Sequence, residues 1–212
     1  RTPITVVRAY TESLVDGVVT GEEKTKQYYE RMLSECKSME RLVGDLLLLS
    51  KMQNPDFVIE TEPVNLLQIF EELVRSIRPL SEEKKIQIEL NHDQEVYMMY
   101  GDYDRLRQMF LVILDNAVKF SPEGSTIHVR FCGKDGIYVS IRDEGIGISE
   151  EELPSVFEKF YKSKLRQNAK GSGLGLAIAK QIALRHGGTI DVKSKLGIGT
   201  EFSFQFQAIE EN

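Results

Sequence analysis

The hydrophobic pattern of this chain changes character near residue 54. Ahead of that point, Tyr29, Met32, Cys36, Met39, Val43, Leu46 and Ser50 recur at alternating steps of three and four. That spacing keeps one seam of a helix facing a partner helix. Residues 4–19 are helix-compatible as well, and Pro3 suits a first turn or a kink. Between the two segments, Asp16-Gly17 through Thr20-Gly21 reads as a turn, with Thr20 as a helix cap and Glu22 and Glu23 in the first turn that follows. Residues 1–53 are therefore expected to form an antiparallel helical hairpin. Residues 46–49 are four consecutive leucines and call for burial from more than one side. A two-helix hairpin has no interior in which to bury such a seam. Dimerisation into a four-helix bundle is the expected solution; packing on a globular domain of the same chain is the alternative.

Asn54-Pro55-Asp56 stops the helix, and residues 54–61 read as a linker. Beyond it, short alternating runs mix with helical periods, so residues 62–212 are expected to form a second, α+β domain. Residues 57–60 read as a strand. An amphipathic helix is expected from Asn65 or Leu66 to about residue 80. Ile86-Gln87-Ile88-Glu89-Leu90 alternates as a strand does, and residues 96–100 follow as another. Asp102 is placed to cap a long helix ending near Phe120. Residues 126–131 and 137–141 flank Gly133-Lys134-Asp135-Gly136 as a hairpin. Residues 174–186 carry a helical period that stops at His186-Gly187-Gly188. Residues 189–192 and 200–206 flank Leu196-Gly197-Ile198-Gly199 as a second hairpin.

Composition narrows the function classes. With 41% hydrophobic and 28% charged residues, the chain has the make-up of a globular protein. A formal net charge of −6 argues against a nucleic-acid binder. Cys36 and Cys132 have no metal-binding spacing and read as buried apolar residues of a reducing compartment. No apolar run approaches a membrane span, and no signal peptide is visible. The start at Arg1-Thr2-Pro3 reads as the beginning of a fragment of something longer.

The chemistry concentrates in the last third. Asp143-Glu144-Gly145-Ile146-Gly147-Ile148 follows an alternating run, and Gly171-Ser172-Gly173-Leu174-Gly175-Leu176 opens a helix. Glycines at such joints let a backbone approach a phosphate chain, and a new helix aims its N–H groups at the anion. Upstream, Asn116 interrupts the apolar end of the helix capped by Asp102, so a buried amide with a ligand or hydrogen-bond partner is expected there. Lys119 shares its face at i, i+3. An amide oxygen suits Mg²⁺ and an ammonium suits phosphate.

These segments resemble the boxes of bacterial sensor histidine kinases. Asp115-Asn116-Ala117-Val118-Lys119-Phe120-Ser121 is similar to the N box, and residues 143–148 to the G1 box. Val156-Phe157-Glu158-Lys159-Phe160-Tyr161 is similar to the F box, and residues 171–177 to the G2 box. The resemblance implies a dimerisation and histidine-phosphotransfer hairpin followed by an ATP-binding α/β sandwich with a mixed sheet and three main helices. It implies ATP and Mg²⁺ as cofactors and transfer of the γ-phosphoryl to a hairpin histidine, then to an aspartate of a response regulator receiver domain. Only this resemblance implies that the longer protein is membrane-anchored and the fragment cytoplasmic. By the same resemblance Asn116 ligates Mg²⁺, Lys119 contacts phosphate, and Asp143 accepts a hydrogen bond from the adenine amino group. Gly145 and Gly147 lie against the nucleotide. Gly171, Gly173, Leu174 and Gly175 shape the lid hinge, and Tyr161 and Lys162 sit near the nucleotide. Phe157 and Phe160 anchor the lid by packing. Thr200 either lines the adenine pocket or serves only a tight turn. Lys162, Lys164, Arg166 and Lys170 give the lid, residues 148–170, a positive charge.

Arg1-Thr2-Pro3 resembles the end of the H box, His-Glu-Leu-Arg-Thr-Pro. The phosphoacceptor histidine would then stand three residues ahead of Arg1, and Thr2 would orient the water that dephosphorylates the regulator. His92, His128 and His186 read as structural or exposed, so the fragment is expected to bind ATP without phosphorylating itself. One departure from the family pattern is Val112, where the N box commonly carries a second Asn. Two other classes stay open: a nucleotide-regulated scaffold or phosphatase without kinase activity, and a GHKL-type ATPase of the gyrase and chaperone kind.

Overall fold

In the computed structural model, which describes residues 3–163 and 171–209, the chain divides into two units, Arg1–Leu48 and Leu49–Asn212. The first consists of α1 (Pro3–Val15) and most of α2 (Glu22–Gln53). The helices meet through Tyr10 and Tyr28, edge to face at 4.8 Å, and Arg31 donates to the Tyr10 hydroxyl at 3.1 Å. Within residues 3–48, no side chain is buried. Tyr29, Leu33, Val43 and Leu47 are each more than half exposed. Cys36 is exposed and Cys132 half-buried, so neither is the core residue the sequence suggested. The reason for Cys36 is that a lone hairpin has no interior; Cys132 closes the edge of its strand beside the Asp93 carboxylate.

The larger unit is an α/β sandwich. A mixed five-stranded sheet runs in the order β2-β4-β5-β7-β6, with β2 (Gln87–His92), β4 (Thr126–Cys132), β5 (Ile137–Arg142), β6 (Thr189–Lys195) and β7 (Gly199–Phe206). The β2/β4 pair is parallel and the others antiparallel. β1 (Glu62–Asn65) and β3 (Met98–Gly101) form a separate antiparallel pair. Three helices cover the sheet: α3 (Leu66–Glu83), α4 (Tyr103–Phe120) and α5 (Gly175–Arg185). Strand alternation supplies the apolar face. Ile127, Val129 and Phe131 of β4, Ile137, Val139 and Ile141 of β5, and Phe202, Phe204 and Phe206 of β7 are all buried. Phe110 of α4 meets Phe70 at 5.5 Å and Phe204 at 5.2 Å, joining helix layer to sheet.

The strand expected at residues 57–60 does not form; pairing begins at Glu62 instead. Val58 is 80% exposed, so this run has no face to bury. Its backbone serves another purpose. The Arg185 guanidinium reaches the carbonyls of Met52 (2.7 Å), Asn54 (2.6 Å) and Phe57 (3.2 Å), holding the end of α2 and the following turn. No helix among the described residues is long and apolar enough to cross a membrane.

Candidate nucleotide-binding site

Helix α4 is the platform. Asp102 caps it as its sequence position suggests, its carboxylate accepting from the Arg105 amide at 3.0 Å. Leu106, Met109, Phe110, Ile113, Leu114 and Ala117 bury one face. The other end is held by a residue that sequence reasoning missed. Lys84 Nζ donates to the carbonyls of Val118 (2.9 Å), Lys119 (2.9 Å) and Ser121 (3.0 Å). A cation there satisfies carbonyls left over at a helix C-terminus and opposes its dipole.

Val112, Asn116 and Lys119 follow at i, i+4 and i+7 and are all half-buried. Asn116 is thus less enclosed than the apolar stretch around it implied, because it stands at the margin of the buried face. Both ends of this row meet the second glycine cluster. A side chain on Gly175 would press on a Val112 methyl at 3.0 Å, and Gly171 lies beside Lys119 Nζ. Asn116 sits between those two contacts. Lys119 Nζ also lies 5.3 Å from the centre of the Phe120 ring.

The first cluster is anchored on the same helix end. Ile146 N–H donates to the Phe120 carbonyl at 3.3 Å. Asp143 is buried at the end of β5, where its Oδ1 accepts from the Gly145 amide (2.8 Å) and the Thr200 amide (3.1 Å). Two amides on one oxygen fix the carboxylate's direction. Gly147 has φ +70°, and a Cβ there would collide with the Lys195 carbonyl; only glycine fits that turn. Gly173, at φ +73°, lies against the backbone of Phe160 and Tyr161, which ties the second cluster to the lid segment. Leu174 is fully buried, its N–H donating to the Ser172 hydroxyl at 3.3 Å as α5 begins. Tyr161 is half-buried and Lys162 exposed. Phe157 packs edge-on against Phe202 at 6.2 Å, whereas Phe160 is 56% exposed with φ +63°. Thr2, Lys164, Arg166 and Lys170 lie outside the described residues.

Thr200 is buried, and a second missed residue, Ser194, stands opposite it. The Ser194 hydroxyl bonds Gly199 O (2.7 Å), Thr200 Oγ1 (2.9 Å) and the Ile148 amide (2.8 Å). Its inward place in the alternation of β6 was a readable signal; the Lys193 and Lys195 around it disguised it as surface. His186 takes the structural one of the two readings its sequence left open. Burial lowers its pKa, outweighing the Ile182 carbonyl and Asp102 that pull the other way. The neutral ring bridges two helices, its Nδ1 donating to Ile182 O (2.7 Å) and its Nε2 accepting from the Asp102 amide (3.0 Å).

The donor set fits a magnesium–nucleotide pair. No cluster of three or more His, Cys, Asp or Glu side chains capable of caging a metal exists among the described residues. Mg²⁺ characteristically takes few protein ligands and completes its shell with phosphate oxygens and water. Asn116 offers one such ligand, and Lys119, one turn further along α4, offers a charge.

Comparison with known proteins agrees with this geometry. The profile of the family described as histidine kinase-, DNA gyrase B- and HSP90-like ATPase matches residues 101–210. That of the His Kinase A (phospho-acceptor) domain matches residues 1–55. Sensor protein SrrB of Staphylococcus aureus is 35% identical over 208 residues, covering 95% of this chain and 35% of SrrB. The chain therefore spans about a third of the length of such curated relatives. Among solved structures, the Acinetobacter baumannii histidine kinase AdeS aligns with a TM-score of 0.81 at 24% identity, covering 99% of this chain and 97% of that one. Histidine kinase ThkA in complex with response regulator protein TrrA aligns with a TM-score of 0.78 at 22% identity, covering 99% and 58%.

Proposed function

We propose that this chain, which belongs to the sensor histidine kinases of two-component systems and is a catalytic core of that family, binds Mg-ATP between its two glycine clusters and delivers the γ-phosphoryl group to a hairpin histidine. The observation that carries this reading is the buried Asp143 carboxylate, pinned by Gly145 and Thr200 amides in a glycine cluster that is bonded to the Phe120 carbonyl at the end of α4, the helix that carries Val112, Asn116 and Lys119. A fixed acceptor suits the amino group of adenine. Gly145 and Gly147 leave the backbone bare where the base lies. Lys119 and Lys162 neutralise phosphate, and the amides at Gly171, Gly173 and Gly175 face phosphate oxygens at the opening of α5, where Leu174 anchors the turn as a buried side chain. Tyr161 closes the site from within the lid. Asn116 would hold Mg²⁺, which supplies charge neutralisation of the triphosphate when bound.

These residues act by positioning and by charge, the two contributions phosphoryl transfer needs most. A histidine nitrogen forms a bond to the γ-phosphorus as the bond to the bridging oxygen breaks, and ADP leaves. A receiver-domain aspartate then takes the phosphoryl group. The complex of ThkA with TrrA supports such a partner, which we place on the hairpin near residues 4–14. The unburied seam of α2 supports a homodimer. Thr2 would orient water for dephosphorylating the regulator. A membrane anchor belongs to the longer protein.

The chain's three histidines, His92, His128 and His186, all lie in the larger unit. The chain as it stands is accordingly expected to bind ATP without labelling itself. The test incubates it with Mg-ATP beside a polypeptide carrying His-Glu-Leu ahead of Arg1 and weighs both intact. One acid-labile phosphoryl group is expected on the longer polypeptide alone, abolished by Asn116→Ala. If both bind ATP and neither is labelled, the kinase reading fails and a nucleotide-regulated scaffold or phosphatase replaces it.

A further inference from the structure

We propose that Ser194 sets the base specificity of the nucleotide site by fixing the direction of the Thr200 hydroxyl proton. The inference rests on the proposed ATP site, with Asp143 and Thr200 at its base end.

Ser194 Oγ has three partners: the Ile148 amide at 2.8 Å, the Gly199 carbonyl at 2.7 Å and Thr200 Oγ1 at 2.9 Å. The backbone amide can only donate and the carbonyl can only accept. The single Ser194 proton is therefore committed to Gly199 O. The Thr200 bond can then run one way only, with Thr200 as donor. Its proton points back into the hairpin, and outward the hydroxyl offers lone pairs. The adjacent carboxylate of Asp143 is an acceptor too, and the Thr200 amide donates to it at 3.1 Å. The base end of the site is thus built from acceptors.

Adenine presents an exocyclic amino group at the position where guanine presents a carbonyl oxygen. An acceptor-only wall matches the first and repels the second. A site built to pair one hydrogen-bonding pattern rejects its inverse more strongly than an apolar pocket would, because its buried polar groups are then left unpaired. Asp143 alone cannot supply the whole of this discrimination, since a Thr200 free to rotate would donate to the guanine carbonyl. Ser194 removes that freedom. It never touches the nucleotide in this arrangement and is a positioning residue.

The test titrates non-hydrolysable ATP and GTP analogues into the chain by calorimetry. Ser194→Ala is expected to narrow the ATP-over-GTP preference about five- to tenfold, with GTP binding gaining. Ser194→Thr keeps the hydroxyl and is expected to retain the parent preference. In Ser194→Ala/Thr200→Val the GTP gain disappears, because no hydroxyl is left to turn. Thr200→Val alone is expected to weaken ATP and to strengthen GTP slightly, because it removes an acceptor from the wall; if Ser194→Ala does not fold, equal weakening of both nucleotides in Thr200→Val overturns the proposal. Parallel weakening of both nucleotides in Ser194→Ala, with the ratio unmoved, overturns the role of Ser194. Failure of the parent chain to bind the ATP analogue overturns the ATP reading instead.

Discussion

The two units of this chain solve the burial problem in opposite ways. The larger unit closes its own core: one face of a five-stranded sheet, three helices and a chain of aromatic contacts through Phe70, Phe110 and Phe204. The hairpin of α1 and α2 buries none of its described residues up to Leu48. Its apolar seam is as regular as any in the chain, yet Val43 and Leu47 remain more than half exposed. Hydrophobic periodicity specifies which face of a helix is to be covered. It does not specify that the cover comes from the same polypeptide. A unit that gains its core by association has a stability tied to concentration, whereas a self-closed one does not.

The largest expected effect probes the closed core. Phe110→Ala removes the ring that links α4 to both α3 and β7 and is expected to cost about 3–5 kcal/mol. The loss should appear in denaturant melts as a shift that is the same at every protein concentration. A concentration-dependent shift would show that the larger unit also leans on association, and the contrast between the units would collapse.

The opposite behaviour is expected on the hairpin. Val43→Asp puts a charge into the seam of α2 at a position more than half exposed. Self-association should weaken on the order of a hundredfold, as for an anchor residue lost from an interface. Sedimentation equilibrium measures this directly. Finding parent and variant equally monomeric at high concentration would mean that the seam is covered by something other than a second copy.

Lys84→Met sharpens the contrast within the larger unit. It strips the cap from the C-terminus of α4 and leaves three carbonyls without their cation. A loss of about 1–2 kcal/mol is expected. Because Asn116 and Lys119 lie in the last turns of that helix, affinity for the ATP analogue should fall as well. Unchanged affinity beside lowered stability would make Lys84 a structural cap only.

Lys84 also marks where the sequence stops being legible. The helices, the cap at Asp102, both glycine hairpins and the two clusters are read from neighbours within a few residues, where local chemistry decides. Asn116, Lys119, Asp143 and the glycines belong to such local signals. Lys84 stands in Ser81-Glu82-Glu83-Lys84-Lys85, a string that looks like solvated surface; its partners lie more than thirty residues away. Arg185 reaches back to carbonyls near Asn54, and Ser194 acts across a strand pair. The alternation of β6 turned Ser194 inward, but no periodicity announces the partners of any of these long-distance bonds. The strand expected at residues 57–60 fails because the run has no face to bury, Val58 being 80% exposed, while Arg185 takes the Phe57 carbonyl from afar.

The smallest effect is the most specific to one bond pair. His186 joins the end of α5 to the start of α4 only as a neutral ring, because its Nε2 must accept from the Asp102 amide. A proton on that nitrogen turns acceptor into donor and sets two donors face to face. Burial holds the folded-state pKa below the ordinary imidazole value of 6.5, against the opposing pull of the Ile182 carbonyl and Asp102. The unfolded chain therefore takes up the proton first as pH falls. The contribution of this ring to stability is fully present above pH 6.5 and declines as pH drops from there toward the folded-state pKa, where it levels off. Urea melts across that window should show the decline in the parent and a flatter profile in His186→Asn, which does not titrate. The hairpin contains no histidine, so self-association should not follow the same curve. A parent profile as flat as the variant's would mean that the ring is protonated in both states or in neither, and the bridge between α4 and α5 would then contribute nothing that depends on pH.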